Sequence, residues 1–236
     1  LLSDDKSFRI SWFTSFIKTY LERDIPLLGL KVQPLQIERL WRIIATLNGN
    51  LLNYSDVAKS LGLSSNSVKA YIDFLENAFL IRRLYPFSSN LQKRIVKSPK
   101  VYIRDTGILH HIYKIYEFED LLGNIIAGNS WEGFIIQQII QELQDYYSIN
   151  FYRTHQGTEV DLVLTKGLKP YVSIEIKLTS TPTITKGNML AIKDLNTDSN
   201  FIITPVSDDY LLNKEFRVCS IERFMSYYIP FLANNN

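Results

Sequence analysis

Two segments of the 236-residue chain, TEVDLVL at 158–164 and YVSIEIK at 171–177, place charged residues inside otherwise apolar stretches. Their composition and spacing are typical of a β-hairpin, in which side chains alternate between two faces. Glu175 and Lys177 therefore point to one face, and Asp161 joins them if the two strands pair. An ionised carboxylate in a buried strand needs a partner or a metal ion. The pattern predicts a sheet that carries one charged site.

The residue types at this site are suited to metal-dependent hydrolysis. Asp161 and Glu175 supply the carboxylate oxygens that Mg²⁺ or Mn²⁺ prefers, and Lys177 orients the attacking water or offsets charge on the phosphorus. Glu132, in a helical segment before the strands, is a further ligand or an acceptor that supports the ligands. We therefore predict that Lys177, Asp161, Glu175 and Glu132 are catalytic and that the three carboxylates bind the metal. Glu159 is a fifth member or a solvent-exposed neighbour.

Each of these residues also has a structural interpretation. Glu175 and Lys177 form an exposed ion pair, Asp161 ends a hairpin, and Glu132 lies in the first turn of a helix, where the dipole favours acids. The apolar flanks of the carboxylates favour a site over coincidence, as do four residue types in the expected order.

Composition limits the class of protein. A hydrophobic fraction of 46% and a charged fraction of 21% are typical of a globular chain with one large core or two modest ones. The formal charge of +2 requires any nucleic-acid contact to come from a local cluster. The single Cys219 excludes an internal disulfide framework and fits a reducing compartment, so we expect a cytoplasmic protein without membrane contact. The absence of an initial Met suggests a fragment of a longer chain.

Residues 52–87 have a helix-turn-helix pattern. Ser55 is predicted to cap a helix that ends at Leu61, Gly62 makes the turn, and a second helix extends to about Asn77. The following FLIRRLYPF predicts a strand that leads into a wing. In DNA-binding proteins of this class the start of the second helix enters the major groove. The residues that this arrangement presents to DNA are Ser65, Asn66, Ser67 and Lys69.

Another interpretation of the helix-turn-helix is a packing or protein-contact module, because those four residues carry one charge. A transcription regulator is a third interpretation, based on this motif alone. The densest basic segment, KRIVKSPK, contains Lys93, Arg94, Lys97 and Lys100, either as a solvated wing strand or as a stripe that contacts phosphates. Arg153 and His155 are candidate phosphate contacts near the proposed site.

Glu132 in a helix, Asp161 in a second strand and Glu175-x-Lys177 in a third resemble the PD-(D/E)xK nuclease core, most closely that of archaeal Holliday-junction resolvases. A longer resemblance, to the C-terminal region of a family of archaeal and bacterial AAA-type ATPases, involves six segments in order. They are YLERDIPLL, the helix-turn-helix with LENAFLI, PFSSNLQKRIVKSPKVYIRDTGIL, NSWEGFI, FYRTHQGTEVDLVL and VSIEIK.

The resemblance implies an α/β (α+β) fold in three parts. These are an N-terminal helix and linker (1–30), a winged helix (31–100), and a restriction-endonuclease-like mixed sheet flanked by helices (101–236). It also implies a P-loop ATPase domain earlier in a parent chain. This sequence has no G-x-x-x-x-G-K-[ST] stretch, so we expect no ATP site in it.

The function expected from residues and resemblance together is that of a metal-dependent DNA endonuclease-like hydrolase. The alternative is a non-catalytic module that binds nucleic acid or protein for the ATPase.

Overall fold

The computed structural model describes residues 5–30, 32–88, 95–143 and 146–234. The chain divides into two compact units, and each contains two stretches of sequence. The first unit comprises Leu1–Arg83 and Val101–Ser130, and the second comprises Leu84–Lys100 and Trp131–Asn236. This division differs from the boundaries at residues 30 and 100 that the sequence predicts. The mixed α/β class, with a helical winged-helix-like region before a mixed sheet and its flanking helices, is confirmed.

The first unit is mainly helical. Its apolar core includes Leu21 and Ile25 from the N-terminal helical region, so residues 5–30 pack as part of this unit rather than forming a linker. A π-helical turn, Tyr20–Asp24, continues the first helix. The elements that begin in this unit are α1 (Lys6–Thr19), α2 (Ile25–Leu27), α3 (Pro34–Thr46), β1 (Asn50–Leu51), α4 (Tyr54–Leu61), α5 (Ser65–Asn77), β2 (Ile81–Leu84), β3 (Lys100–Ile103, with Lys100 counted in the second unit), α6 (Thr106–Ile112), α7 (Phe118–Leu122) and α8 (Ala127–Leu143).

The helix-turn-helix is formed by α4 and α5. Asn53, not Ser55, caps α4: its side chain accepts hydrogen bonds from the backbone N–H groups of Ser55 and Asp56. Gly62 ends α4 in the left-handed conformation, with φ of 66°. The Ser64 side chain then caps α5 by accepting from the backbone of Ser67.

Arg83 on β2 ties this motif to the neighbouring strand. Its side chain is 9% exposed and lies 2.6 Å from a carboxylate oxygen of Asp73. It also donates to Glu76, at 2.7 Å from Nε, and to the hydroxyl of Tyr54, at 2.9 Å. A buried guanidinium with several acceptors holds both helices in one orientation.

Residues 101–130 belong to the first unit because their polar groups are satisfied there. β3 is the central strand of a three-stranded sheet with the order β1-β3-β2. The buried Asn48 side chain accepts from the Ile103 N–H at 2.8 Å and donates to the Asn129 carbonyl at 3.1 Å. The Asn129 side chain donates back to the Asn48 carbonyl at 2.9 Å. Three backbone groups, the Ile103 N–H and the carbonyls of Asn48 and Asn129, would lose a hydrogen bond if this pairing were broken.

The second unit is built on a six-stranded mixed sheet with the order β4-β5-β6-β7-β9-β8. β4, β5 and β6 form an antiparallel meander, while β6, β7 and β9 are parallel. The elements that begin here are β4 (Ser148–Arg153), β5 (Glu159–Lys166), β6 (Lys169–Ile176), α9 (Lys186–Leu195), β7 (Ser199–Thr204), β8 (Tyr210–Leu211), β9 (Arg217–Ser220), α10 (Ile221–Arg223), the π-helical turn Phe224–Tyr228 and α11 (Ile229–Asn234). Most of α8 also belongs to this unit.

The segment between β2 and β3 corrects the wing prediction. Residues 84–88 and 95–99 are part of the second unit, where they pair with β4. Phe87 donates to the Phe151 carbonyl at 2.6 Å, and Val96 donates to the Arg153 carbonyl at 3.1 Å. Lys97 is exposed, but Lys100 is 2% exposed, so it is not part of a solvated wing. Lys93 and Arg94 lie outside the described residues.

In the described parts of the chain, no helix combines the length and the apolar character that crossing a bilayer requires.

Two glycines of the first unit differ in the space around them, so we predict that replacing them destabilises the protein by different amounts. Gly49 and Gly62 both have left-handed backbone, with φ of 77° and 66°. A Cβ on Gly62 would meet open space, whereas a Cβ on Gly49 would lie 2.9 Å from Cγ of Asn129. We expect Gly62→Ala to lower the free energy of unfolding by about 1 kcal/mol. Gly49→Ala should lower it by clearly more, because Asn129 must move. Urea denaturation of both variants measures the difference, and equal losses would contradict the Asn48–Asn129 account.

Cys219 is buried in β9, and burial raises the pKa of its thiol to about 12. Since the thiolate is the reactive form, we expect the native protein to resist alkylation at neutral pH. Reaction with a maleimide should begin only when urea opens the second unit, and the labelled fraction should follow the unfolding curve. Rapid labelling of the native chain would show that β9 is not buried as described.

Candidate active site

The hairpin of β5 and β6 brings the predicted acids together. Leu162 pairs with Ile174 in an antiparallel register, so the next step along the ladder places Asp161 opposite Glu175. Directly opposed residues project from the same face of a sheet. Both carboxylates are buried, at 7% and 8% exposure. The strand alternation in the sequence therefore predicts this pairing correctly.

Each of these acids has one defined partner at the end of the hairpin. Asp161 Oδ2 accepts a hydrogen bond of 2.9 Å from the backbone N–H of Ile176. Glu175 Oε1 accepts one of 2.6 Å from Lys177 Nζ, whose side chain is 39% exposed. The ammonium of Lys177 therefore contacts the buried pair and still reaches solvent. Burial alone would lower the pKa of Lys177, but the charges of Glu175 and Asp161 outweigh it and the pKa is raised.

The second oxygen of Glu175 is the least satisfied group of the site. Oε2 is buried and has no hydrogen-bond partner. Burial, and then the charge of Asp161, raise the pKa of Glu175 well above its ordinary value, against the opposing effect of Lys177. The polar side chain of Asn188 also acts to lower that pKa, but its geometry does not make a hydrogen bond to Oε2. A cation bound next to two buried carboxylates stabilises their ionised forms.

Lys100 is the site residue that the sequence does not reveal. Its ammonium lies 2.9 Å from Glu132 Oε1, 2.6 Å from Glu159 Oε1 and 3.6 Å from Asp161 Oδ1. Burial would lower the pKa of Lys100, but the charges of Glu132, Asp161 and Glu159 outweigh it, and the pKa lies above its ordinary value. Lys100 therefore stays protonated among three acids.

The position of Lys100 in the sequence explains why the pattern predicts the wrong environment for it. KRIVKSPK is a basic run, which usually indicates a solvated surface. The one available signal is that Lys100 directly precedes the apolar VYI of a strand. That position made burial a credible alternative for this lysine alone.

Glu132 is in a different environment from the one predicted. α8 begins at Ala127, so Glu132 lies in the second turn of the helix and not the first. Its carboxylate contacts the ammonium of Lys100. The dipole of a helix N-terminus therefore does not account for this acid, and an ion pair does.

The arrangement limits how a metal ion fits. In the ranges that the structure describes, no group of three or more His, Cys, Asp or Glu side chains is placed to hold a metal ion. Mg²⁺, however, is usually bound by one or two carboxylates and keeps several waters. Asp161 and Glu175 provide that donor set, and the partnerless oxygen of Glu175 lies within it. The residues therefore fit one hard cation held by two acids rather than by the predicted three.

The predicted DNA-contacting residues of the first unit lie at the start of α5. Ser65, Asn66 and Lys69 are exposed, as a groove-binding helix requires. Lys69 forms an ion pair of 3.0 Å with Asp73, one turn further along the helix. This pairing reduces the positive charge that the helix presents.

The predicted phosphate contacts of the second unit lie near the end of β4. Lys97 and His155 are exposed, and Arg153 is half-buried. Residue 95 bridges Thr154, and Val96 bonds to the Arg153 carbonyl, so these basic residues are neighbours. Arg153 Nη1 lies 3.4 Å from Glu159 Oε2, and the other oxygen of Glu159 binds Lys100. The basic residues therefore lie beside the acidic cluster.

Two mycobacterial proteins are similar to most of this chain. Uncharacterized protein Rv2008c of Mycobacterium tuberculosis and uncharacterized protein Mb2031c of Mycobacterium bovis are each 36% identical over 195 residues. The match takes in 83% of this chain and 44% of each relative. The chain therefore spans less than half the length of the curated relatives that it matches.

Solved structures show a distant likeness. A Staphylococcus aureus MepR mutant bound to an oligodeoxyribonucleotide is 15% identical, with a TM-score of 0.27, over 53% of this chain and 84% of that one. Streptococcus pneumoniae FabT in complex with DNA is 18% identical, with a TM-score of 0.26, over 60% of this chain and 99% of that one. Similarity at this level does not establish what this chain binds.

Two family models match separate parts of the sequence. Residues 127–224 match the domain of unknown function DUF4143, which takes in α8, the hairpin and the acidic cluster apart from Lys100. Residues 1–119 match the domain of unknown function DUF8612. Because that second match takes in half of the 236 residues, the chain belongs to the DUF8612 family.

Proposed function

We propose that the second unit hydrolyses phosphodiester bonds in DNA with one Mg²⁺ or Mn²⁺ ion held by Asp161 and Glu175. The observation that carries this proposal is the buried oxygen of Glu175, which has no partner and lies beside a second carboxylate. Burying such a group without compensation costs several kcal/mol, roughly. A divalent cation supplies the compensation and gives the site a chemical use.

The residues have distinct roles in this proposal. A metal ion bound there would lower the pKa of a bound water and offset charge on the phosphate. Asp161 is oriented for binding by the Ile176 N–H, at 2.9 Å. Lys177 Nζ, held at 2.6 Å by Glu175, is placed to donate a hydrogen bond to the attacking water or to a phosphate oxygen. Glu132 acts through Lys100 and is a positioning residue.

Positive groups beside the acids support a nucleic-acid substrate. Lys97 and His155 are exposed near the end of β4, and Arg153 contacts Glu159 at the border of the cluster. Lysine, arginine and histidine in this position suit contacts with phosphates on either side of the scissile bond. The winged-helix-like region offers a second DNA contact through Ser65, Asn66 and Lys69.

A non-catalytic module that binds nucleic acid or protein is the second candidate. The observation that favours it is Lys100, because its ammonium already neutralises part of the acidic cluster. In that case the acids stabilise the fold and bind no ion. Metal binding distinguishes the two functions directly.

The resemblance to the C-terminal region of AAA-type ATPases adds a proposed partner. A preceding ATPase domain in the parent chain would deliver or remodel DNA for this part. The match to less than half of each mycobacterial relative is consistent with such a longer protein.

Asp161→Asn tests the metal site. Binding of Mn²⁺ to the native state at about 100 times its Kd adds roughly 2.7 kcal/mol to the free energy of unfolding. We expect Mn²⁺ to raise the melting temperature of the wild type but not of Asp161→Asn, and nicking of plasmid, forked and four-way DNA to require the wild-type residue. Asp198→Asn, at an exposed acid paired with Lys169, is the matched control and should behave as wild type. An unchanged wild-type melting temperature together with no nicking would refute the proposal.

Lys177→Ala separates chemistry from binding. Because Lys177 contacts Glu175 without completing the metal site, the variant should still bind Mn²⁺, as measured by calorimetry. Its nicking rate should fall by about a hundred- to a thousand-fold, the loss typical of one hydrogen-bond donor to a developing charge. Equal nicking by the variant and the wild type would identify the activity as a contaminant.

A further inference from the structure

Asp161 lies between an ammonium group and a second carboxylate. Its Oδ1 lies 3.6 Å from the ammonium of Lys100, and its charge also acts on Glu175 across the hairpin. One neighbour is a cation that the chain supplies. The other is the carboxylate of Glu175, which has one oxygen on the ammonium of Lys177 and the other without a hydrogen-bond partner. Asp161 is therefore positioned to bridge two cationic positions.

The position of Lys100 Nζ has the features of an ion site. Carboxylate oxygens of Glu132 and Glu159 contact it, and Asp161 lies slightly further away. The group is buried, and the Phe151 ring lies 5.6 Å from it. Carboxylate oxygens are the ligands of hard divalent cations, but among the described residues these three acids are not placed to hold a metal ion as they stand. Here the point is filled by an ammonium.

In many phosphodiesterases two metal ions, roughly 3.5–4 Å apart, clamp the attacking and leaving oxygens. We propose that the ammonium of Lys100 takes the place of the second of these ions, so that the site binds a single metal ion at Asp161 and Glu175. This inference rests on the proposed function, which supplies the first ion.

The charges of the cluster are consistent with one ion. Glu132, Glu159, Asp161 and Glu175 carry four negative charges when ionised. Lys100, Lys177 and Arg153 carry three positive charges. Ion pairs join Lys100 and Arg153 to Glu132, Glu159 and Asp161, and a separate ion pair joins Lys177 to Glu175 across the hairpin from Asp161. The excess is one negative charge, which a single divalent ion reverses to one positive charge. A second divalent ion beside the ammonium would leave a large excess of positive charge.

Lys100→Met tests the inference by counting ions. Mn²⁺ binding is measured by calorimetry and by the electron paramagnetic resonance signal of the free ion. We expect about one Mn²⁺ per chain for the wild type and about two for Lys100→Met, because the three acids are released from the ammonium. Mn²⁺ should also raise the melting temperature of the variant about twice as much as that of the wild type, because each bound ion adds a similar stabilisation. Lys169→Met, at an exposed lysine, is the control and should bind as wild type does.

The double variant Lys100→Met/Glu159→Gln protects the test against misfolding. It removes one charge of each sign, so the net charge of the cluster is unchanged, and Glu132 and Asp161 remain as ligands. A second ion in this variant supports the inference even if Lys100→Met requires Mn²⁺ to fold. One ion in the wild type and in both variants would overturn the inference and leave the proposed function intact. If the wild type binds no ion, the proposed function is refuted. If the variants nevertheless bind one ion, that ion would show that the ammonium of Lys100 occupies a metal position in the wild type.

Discussion

The convergence of four carboxylates, two of them buried, at one place in the second unit is the constraint on which the proposed chemistry depends. Asp161 and Glu175 are less than a tenth exposed, and Glu132 and Glu159 converge with Asp161 on the ammonium of Lys100. Uncompensated burial of a charge costs several kcal/mol, roughly, so the fold must supply cations. Lys100 and Lys177 supply two, and the oxygen of Glu175 that remains without a partner defines where another is favoured.

The rest of the second unit holds this arrangement in place. The antiparallel register of β5 and β6 sets Asp161 opposite Glu175, and α8 supplies Glu132. The segment at 95–99 pairs with β4 before the chain reaches Lys100. Each acid thus comes from a regular element, whose backbone hydrogen bonds limit how far its side chain can move. The first unit has its own rigid polar contacts, those of Arg83 and of Asn48 with Asn129.

The sequence predicts much of the fold and of the acidic site, and the features that it does not predict have physical causes. Strand alternation predicts the face shared by Asp161, Glu175 and Lys177. Local patterns do not reveal long-range pairing. The described residues of the expected wing therefore bond to β4, and residues 101–130 belong to the first unit. Lys100 is missed for the same reason, since a basic run resembles a surface until its distant acids are known. The cap of α4 is Asn53 and not the predicted Ser55, because asparagine and serine are almost equally favourable as helix caps and the sequence has both there.

The location of a metal ion is the most direct test of the account. Anomalous diffraction from crystals grown with Mn²⁺ would show it without reference to activity. The account predicts one peak, bound by Asp161 and Glu175, with the ammonium of Lys100 still between Glu132 and Glu159. The absence of a peak at these two acids, or a peak in the place of a displaced Lys100, would contradict it.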